Sequence, residues 1–261
     1  MDPFKYETPP SVADAVRLAG GEAKLLAGGQ SLLPAMKLGL AAPPVLVDLN
    51  GISELREIRQ EAGRLVLGAM ATHASVAAST VVQKAIPALA WLANNIGDRQ
   101  VRHRGTIGGS LANNDPAACY PAAVLALGAT VRTDRRSIEA DDFFRGLYET
   151  ALADGEMITS VSFPIPERAA YMKFKQPASR FALVGVFVAK ATSGVRVAVT
   201  GAAACVFRVP ELEARLAVQW SPDACEGVTV KADELNSDLH GSARYRAALI
   251  PVLARRAVAA C

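Results

Sequence analysis

The chain has 261 residues and a net charge of +3. Its composition, 51% hydrophobic and 20% charged, is typical of a globular protein and excludes a disordered or fibrous one. The small charge gives no indication of nucleic-acid binding. The amino terminus lacks a signal-peptide pattern, and no apolar run reaches the ~20 residues that span a bilayer. We therefore expect a cytoplasmic protein without a transmembrane segment.

The first 51 residues alternate between helix and strand. The pattern predicts a helix over residues 11–20 that Ser11 can cap, a strand over 23–29, a helix over 31–40 and a strand over 43–51. This order indicates a small α/β unit.

The next segment is predicted to continue the mixed pattern up to a proline pair. A strand is predicted over 64–70, a short segment that Thr72 can cap over 72–79, and a helix over 81–95. A polar loop over 96–121 follows, then a helix leading into a strand over 122–133 and a last strand over 155–166. Pro164 and Pro166 end the last strand and mark the best candidate domain boundary.

The carboxyl-terminal third has a different order of predicted elements. Three strands joined by short turns are predicted over 170–176, 181–191 and 194–204. Helices follow over 209–217, 221–227 and 242–260. Strands followed by helices predict a separate α+β domain. We expect domains at 1–166, with subdomains of about 1–55 and 56–166, and at 167–261.

Two glycine pairs carry the strongest signal for a ligand. The first turn is Ala27, Gly28, Gly29, Gln30 and Ser31, and the second turn is Thr106, Ile107, Gly108, Gly109 and Ser110. Glycine lets backbone N–H groups come close to an anion, so the two turns could clamp one diphosphate. Neither turn fits the Rossmann or the P-loop spacing.

Other catalytic and metal motifs are absent from the sequence. The four cysteines form no C-x-x-C pair and the three histidines lack metal-ligand spacing. Without a nucleophile motif, the sequence indicates binding more than side-chain catalysis, and we expect neither catalytic nor metal-binding residues.

Long motifs around both turns resemble the FAD-binding medium subunit of molybdenum hydroxylases, the family of aerobic carbon monoxide dehydrogenase and xanthine dehydrogenase. These motifs include LLAGGQSLLPAMKL, VRHRGTIGGSLANNDPAA and DGEMITSVSFP. The resemblance implies an α+β fold, with a two-subdomain FAD-binding domain of the PCMH type and a small domain built on a three-stranded antiparallel sheet. It also implies that the FAD diphosphate lies between the two turns.

The resemblance extends to residues near the flavin. Tyr171 matches an aromatic residue near the isoalloxazine ring, Ile158 an apolar residue that packs near it, and Lys173 a cation near the pyrimidine end. Many relatives carry Asp at the position of Cys119, and Asp115 or water could replace that contact.

The resemblance also implies an assembly. A small subunit with two [2Fe-2S] clusters and a large subunit with a molybdenum pterin would accompany this chain in a dimer of heterotrimers, a heterohexamer. Electrons would pass from the clusters through FAD to an external acceptor.

Two alternatives remain open at this point. One is a free-standing FAD-dependent oxidase or dehydrogenase, with flavin attached at His73 or His103. The other is a non-enzymatic binding module in which the glycine pairs are only tight turns and the basic segment 99–104 holds an acidic partner.

Overall fold

The structure is a computed structural model that describes residues 2–261. It contains three main sheets and one two-stranded ribbon, with helices packed around them. The order of mixed helices and strands confirms the α+β prediction.

The amino-terminal unit is a small parallel sheet with two helices. Its elements are β1 (Lys5–Glu7), α1 (Val12–Leu18), β2 (Lys24–Leu26), α2 (Leu32–Lys37) and β3 (Val45–Asp48), with strand order β1-β3-β2. The Ser11 hydroxyl accepts a hydrogen bond from Asp14 N at 3.1 Å, which confirms the predicted cap. The sequence did not predict β1, because its three residues are largely exposed and show no apolar run.

A second unit is built on a five-stranded antiparallel sheet of order β4-β5-β10-β6-β7. Two short 3₁₀ turns, Leu49–Gly51 and Ser53–Arg56, lead into it. Its elements are β4 (Ile58–Glu61), β5 (Arg64–Gly68), α3 (His73–Ala78), α4 (Thr80–Ala85), α5 (Pro87–Asn94), α6 (Arg99–Arg104), α7 (Ile107–Asn113), α8 (Tyr120–Ala126), β6 (Thr130–Thr133), β7 (Ser137–Glu139), α9 (Ala140–Phe143), β8 (Phe144–Gly146), β9 (Glu149–Thr150) and β10 (Ile158–Pro164). The strands β8 and β9 form the ribbon.

Two sequence predictions in this unit are wrong. The segment 96–121 was predicted as a loop but holds α6 and α7, which Asp98 and Thr106 cap. The polar residues that suggested a loop lie largely on the exposed side of α6. The single helix predicted over 81–95 is two helices, because the chain turns at Ile86 and Pro87 starts a new one.

The carboxyl-terminal unit is an antiparallel sheet covered by a long helix. Its elements are β11 (Arg168–Lys175), β12 (Ala182–Ala191), β13 (Gly194–Thr200), β14 (Phe207–Arg208), α10 (Pro210–Val218), the 3₁₀ turn Pro222–Cys225 and α11 (Ala243–Ala259). The three predicted strands are present, and the two-residue β14 adds a fourth. The helix predicted over 221–227 is only the 3₁₀ turn.

The two faces of this sheet belong to different cores. Tyr171, Phe187 and Ala198 join the large core that also holds α8, while Val186 and Val197 pack in a second core with α10 and α11. Successive side chains of a strand point to opposite faces of the sheet, so neighbouring residues of these strands enter different cores. The large core thus runs across residue 166, and the division of the chain at that residue stays a prediction.

Candidate functional site: two glycine turns in contact

The first turn connects β2 to α2 and depends on glycine at two positions. Gly29 has φ +70°, in the left-handed region that glycine adopts without strain. A Cβ on Gly28 would lie 2.1 Å from the carbonyl oxygen of Arg104, so a larger residue cannot fit without a backbone shift. Asn50 Nδ2 donates to the Ala27 carbonyl at 3.2 Å and fixes the start of the turn.

The first turn presents free backbone donors. Among residues 2–261, the N–H groups of Gly29, Gln30 and Ser31 donate to no protein acceptor. These three residues are half-buried or exposed, so a ligand can reach them. Consecutive N–H groups at such a turn form a concave site that suits an anion.

The second turn is the start of α7, and its donors are already used. Thr106 caps the helix by accepting from Gly109 N at 3.1 Å. The N–H groups of Ile107 and Gly108 donate to Ala71 O and Ala69 O, and Ser110 N donates to Thr106 O. The second turn therefore offers few free N–H groups. It contributes instead a wall made of the half-buried Gly109 and Ser110, together with the positive end of a short helix.

The two turns touch each other. A Cβ on Gly28 would meet Gly105 Cα at 2.7 Å, and one on Gly109 would meet Ala27 Cβ at 3.3 Å. The first turn thus packs directly against the residues that begin the second. This contact, with three free donors beside it, fits the diphosphate of FAD.

A polar cluster supports the first turn from below. Asp48 Oδ2 accepts from the Tyr6 hydroxyl. Its Oδ1 accepts from Asn50 Nδ2 and from Asn50 N, the latter at 2.9 Å. Burial alone would raise the pKa of Asp48, but the hydrogen bonds from Tyr6 and Asn50, together with the charge of Arg104, lower it. Nothing in the sequence pattern indicated that Asp48 and Asn50 would support the turn.

Asp115 and its neighbour Asn114 lie after α7. Asn114 has φ +43° and donates to the carbonyls of Gly146 and Glu149, both at 2.8 Å, which ties the β8–β9 ribbon to the end of the helix. Asp115 accepts from Ala117 N at 2.8 Å, and its charge contributes to a raised pKa of Tyr148. A ligand contact of Asp115 stays a prediction.

Cys119, Tyr171 and Lys173 form one cluster. Lys173 Nζ lies 3.5 Å from Cys119 Sγ, and the buried Tyr171 side chain faces the same sulfur. Tyr171 is 1% exposed and packs against Phe187, so it lies inside the core and not on an open surface. Ile158 is also buried, in β10. The flavin contacts predicted for these residues stay predictions.

The basic segment 99–104 forms α6 and lies between an open cavity and the first glycine turn. On one side, Arg99, Arg102 and His103 help line an open cavity of about 560 Å³ together with Trp91. At its end, the Arg104 carbonyl contacts Gly28. Arg102 also donates to the carbonyls of Ile96 and Gly97.

His73 lies beneath the second turn, which the sequence did not indicate. It is buried beside Tyr120, and a Cβ on Gly105 would lie 2.5 Å from its Nε2. Burial lowers the pKa of His73 to about 4, with a smaller contribution from Arg102. A neutral, packed imidazole here indicates a structural support for the turn.

Among residues 2–261, no group of three or more His, Cys, Asp or Glu side chains is placed to hold a metal ion. No helix in this range has the length and apolarity needed to cross a bilayer.

Comparison with known proteins identifies the family. Residues 2–166 match the family described as FAD binding domain in molybdopterin dehydrogenase. The chain is 38% identical to the nicotine 6-hydroxylase medium subunit of Paenarthrobacter nicotinovorans, with 98% of this chain and 96% of that protein covered. It is also 38% identical to the carbon monoxide dehydrogenase medium chain of Hydrogenophaga pseudoflava, with the same coverage.

Solved structures agree with this result. The reconstituted CO dehydrogenase from Oligotropha carboxidovorans superposes with a TM-score of 0.90 at 34% identity, covering 99% of this chain and 98% of that chain. Quinoline 2-oxidoreductase from Pseudomonas putida 86 gives a TM-score of 0.88 at 31% identity, with 99% and 96% covered. The family match and the relatives that align over nearly their whole length point to the same family, and the contact between the two turns is consistent with it. The chain belongs to the FAD-binding subunits of the molybdenum hydroxylase family.

Proposed function

We propose that this chain is the FAD-carrying, electron-transferring subunit of a molybdenum-containing hydroxylase or dehydrogenase. It would receive electrons from [2Fe-2S] clusters of a small partner subunit and pass them to an external acceptor. The observation that carries the proposal is the row of free N–H groups at Gly29, Gln30 and Ser31, directly beside the second turn.

The protein's part in this function is to bind and position the cofactor. The first turn donates hydrogen bonds to a diphosphate, and Asn50 and Asp48 hold that turn in shape. Gly109 and Ser110 close the opposite side. When bound, FAD supplies the ability to exchange one or two electrons, and the chain determines where it is held and what can reach it.

The relatives support an assembly with partner subunits. Two of them are named a medium subunit and a medium chain, which indicates multi-subunit enzymes. We propose that a large molybdenum pterin subunit and a small iron-sulfur subunit assemble with this chain as a dimer of heterotrimers in the cytoplasm. The names of the relatives include nicotine, carbon monoxide and caffeine, so they do not converge on one substrate.

The substitution Gly109→Val tests the role of the second turn. A Cβ at Gly109 already approaches Thr106 Oγ1 to 3.0 Å and Ala27 Cβ to 3.3 Å, so the valine methyl groups would fill the space between the turns. We expect a folded protein, by circular dichroism, that binds FAD at least about tenfold more weakly, a loss of about 1.4 kcal/mol or more, and that therefore loses flavin during purification. The measurement is the flavin absorbance of the purified complex per chain.

Gly20→Ala serves as the matched control, because nothing lies within 4 Å of a Cβ at Gly20. Its FAD content should equal that of the wild type. Full FAD retention by Gly109→Val would remove the second turn from the site. Flavin that stays on the denatured polypeptide would favour a free-standing oxidase with covalent flavin instead.

A further inference from the structure

Cys119, Lys173 and Tyr171, which are predicted to lie near the flavin, form a largely buried group whose own chemistry goes beyond the proposed function. Cys119 stands at the start of α8 and is 4% exposed. The two other side chains come from β11, two residues apart, and therefore lie on the same face of that strand. Lys173 Nζ lies 3.5 Å from the Cys119 sulfur, and Tyr171 is near enough to that sulfur for Cys119 to raise its pKa.

Lys173 brings a fixed positive charge to the sulfur. Its Nζ donates to Asn95 O at 2.5 Å and to Arg180 O at 3.0 Å, and it lies 3.5 Å from Cys119 Sγ. Among residues 2–261, no carboxylate forms an ion pair with Lys173. The ammonium group therefore has two carbonyl partners and a thiol but no anion.

Tyr171 brings a second donor without a good acceptor. Its hydroxyl is fully buried and has no well-formed hydrogen-bond partner. The space for this hydroxyl exists because residue 185 is glycine, where a Cβ would lie 2.4 Å from the Tyr171 oxygen. Burial and the neighbouring Cys119 raise the pKa of Tyr171, so the hydroxyl keeps its proton as a donor.

A thiol is a weak hydrogen-bond acceptor, whereas an anionic oxygen on the sulfur would be a strong one. We propose that Cys119 is a site of oxidation by hydrogen peroxide, and that Lys173 and Tyr171 hold the resulting sulfenate. In this step Cys–SH and H₂O₂ give Cys–SOH and H₂O. The sulfur attacks one peroxide oxygen and loses two electrons, so an S–O bond forms as the O–O bond breaks. The thiol proton leaves with the other oxygen as water, and the sulfenic acid then releases its own proton to solvent.

The other three cysteines provide internal controls. Cys225 is as buried as Cys119, and burial raises its pKa despite the more distant charges of Arg255 and Arg215. Cys261 is exposed as a residue, but burial of its sulfur raises its pKa to about 11. Cys205 is half-buried and has only the Asn114 amide as a polar contact, at 3.6 Å. None of these sulfurs has an ammonium group within hydrogen-bonding distance among residues 2–261.

The test is peroxide treatment of the native protein, purified as full chain or intact complex, followed by site mapping. The protein is treated with hydrogen peroxide, quenched, unfolded in the presence of a dimedone probe, and digested for mass spectrometry. We expect the sulfenic-acid label at Cys119 first, ahead of the more exposed Cys205 and Cys261. Labelling of those two with none at Cys119 would overturn the proposal.

Two sets of variants distinguish the effect of the cluster on the Cys119 sulfur from the accessibility of that sulfur to peroxide. Lys173→Met should slow the labelling of Cys119 by about tenfold, because the ammonium group that favours an anionic sulfur is lost, with Cys205 unchanged as the internal reference. An unchanged rate at Cys119 would contradict the role of Lys173.

If Lys173→Met does not fold, Cys119→Asp and Cys119→Asn, compared as the FAD-free protein, show whether the group favours an anion at this position without a cofactor contact. Aspartate places an anionic oxygen acceptor between Lys173 and Tyr171, and asparagine is its neutral match. We expect the aspartate variant to have the higher Tm at pH 7. Equal Tm values, or a lower one for aspartate, would show that the cluster does not favour an anion.

Discussion

At the residue scale, the site depends on Gly28 more than on any side chain. Its missing Cβ allows the first turn to lie against the Arg104 carbonyl and Gly105, which brings the two turns together. The sequence identified the glycine pair but not this role, because a close approach to a segment 76 positions away cannot be read from local composition.

Gly28→Ala should weaken both the fold and the binding of FAD. The added Cβ would meet Arg104 O at 2.1 Å, and this contact is with backbone that cannot move alone. We expect the free energy of unfolding to fall by about 1–3 kcal/mol, the usual cost of an overpacked site, as measured by urea denaturation, and FAD content to fall with it. Gly20→Ala, where the added methyl meets nothing, should change neither. A Gly28→Ala protein with wild-type stability would show that the turns are not packed as described.

At the element scale, the second turn differs from what its composition suggested. Both glycine pairs were predicted to offer backbone N–H groups to an anion. The second pair instead begins α7, where Thr106 and the carbonyls of Ala69 and Ala71 use its donors. Sequence reasoning missed the helix because segment 96–121 is polar and rich in glycine, and only its contacts with β5 and the residues after it define the element.

A second element-scale prediction concerns Glu156, which joins the β6–β7 turn to the segment before β10. Its carboxylate accepts from Arg136, Thr133 and Ala153 N. The hydrogen bond from Arg136 is the main cause that lowers the pKa of Glu156 from 4.5 to about 2, against the opposing effect of burial. Because the folded-state pKa is depressed, this stabilisation is fully present above pH 4.5 and is lost as the pH falls toward 2.

Glu156→Gln should therefore reduce stability in a pH-dependent way. We expect a loss of about 1.5–3 kcal/mol at pH 7, typical of a hydrogen bond to a charged group, which shrinks between pH 4.5 and 2. Urea denaturation at a series of pH values measures it. Glu226→Gln is the control, since its ion pair with Arg255 is exposed and should contribute little. A loss that stays constant over this range would contradict the account.

At the scale of the whole molecule, the order of elements and the cofactor class could be predicted, whereas their contacts could not. The change from mixed α/β to strands followed by helices, and the motif likeness around both turns, gave the fold class and the family. The shared core across residue 166 and the burial of Tyr171 depend on how β12 and β13 pack on α8 and how β11 packs on α5. Alternation in a strand does not reveal which partner covers each face.

The central claim is that this chain carries FAD, held at the contact between the two turns, and exchanges electrons with a partner. The most direct measurement is the visible spectrum of the complex purified with its partner subunits, before and after reduction, with the flavin assigned after release by denaturation. The account predicts about one FAD per chain, released without covalent attachment and bleached on reduction through the partner's clusters. A complex that contains this chain but no flavin absorbance would contradict it.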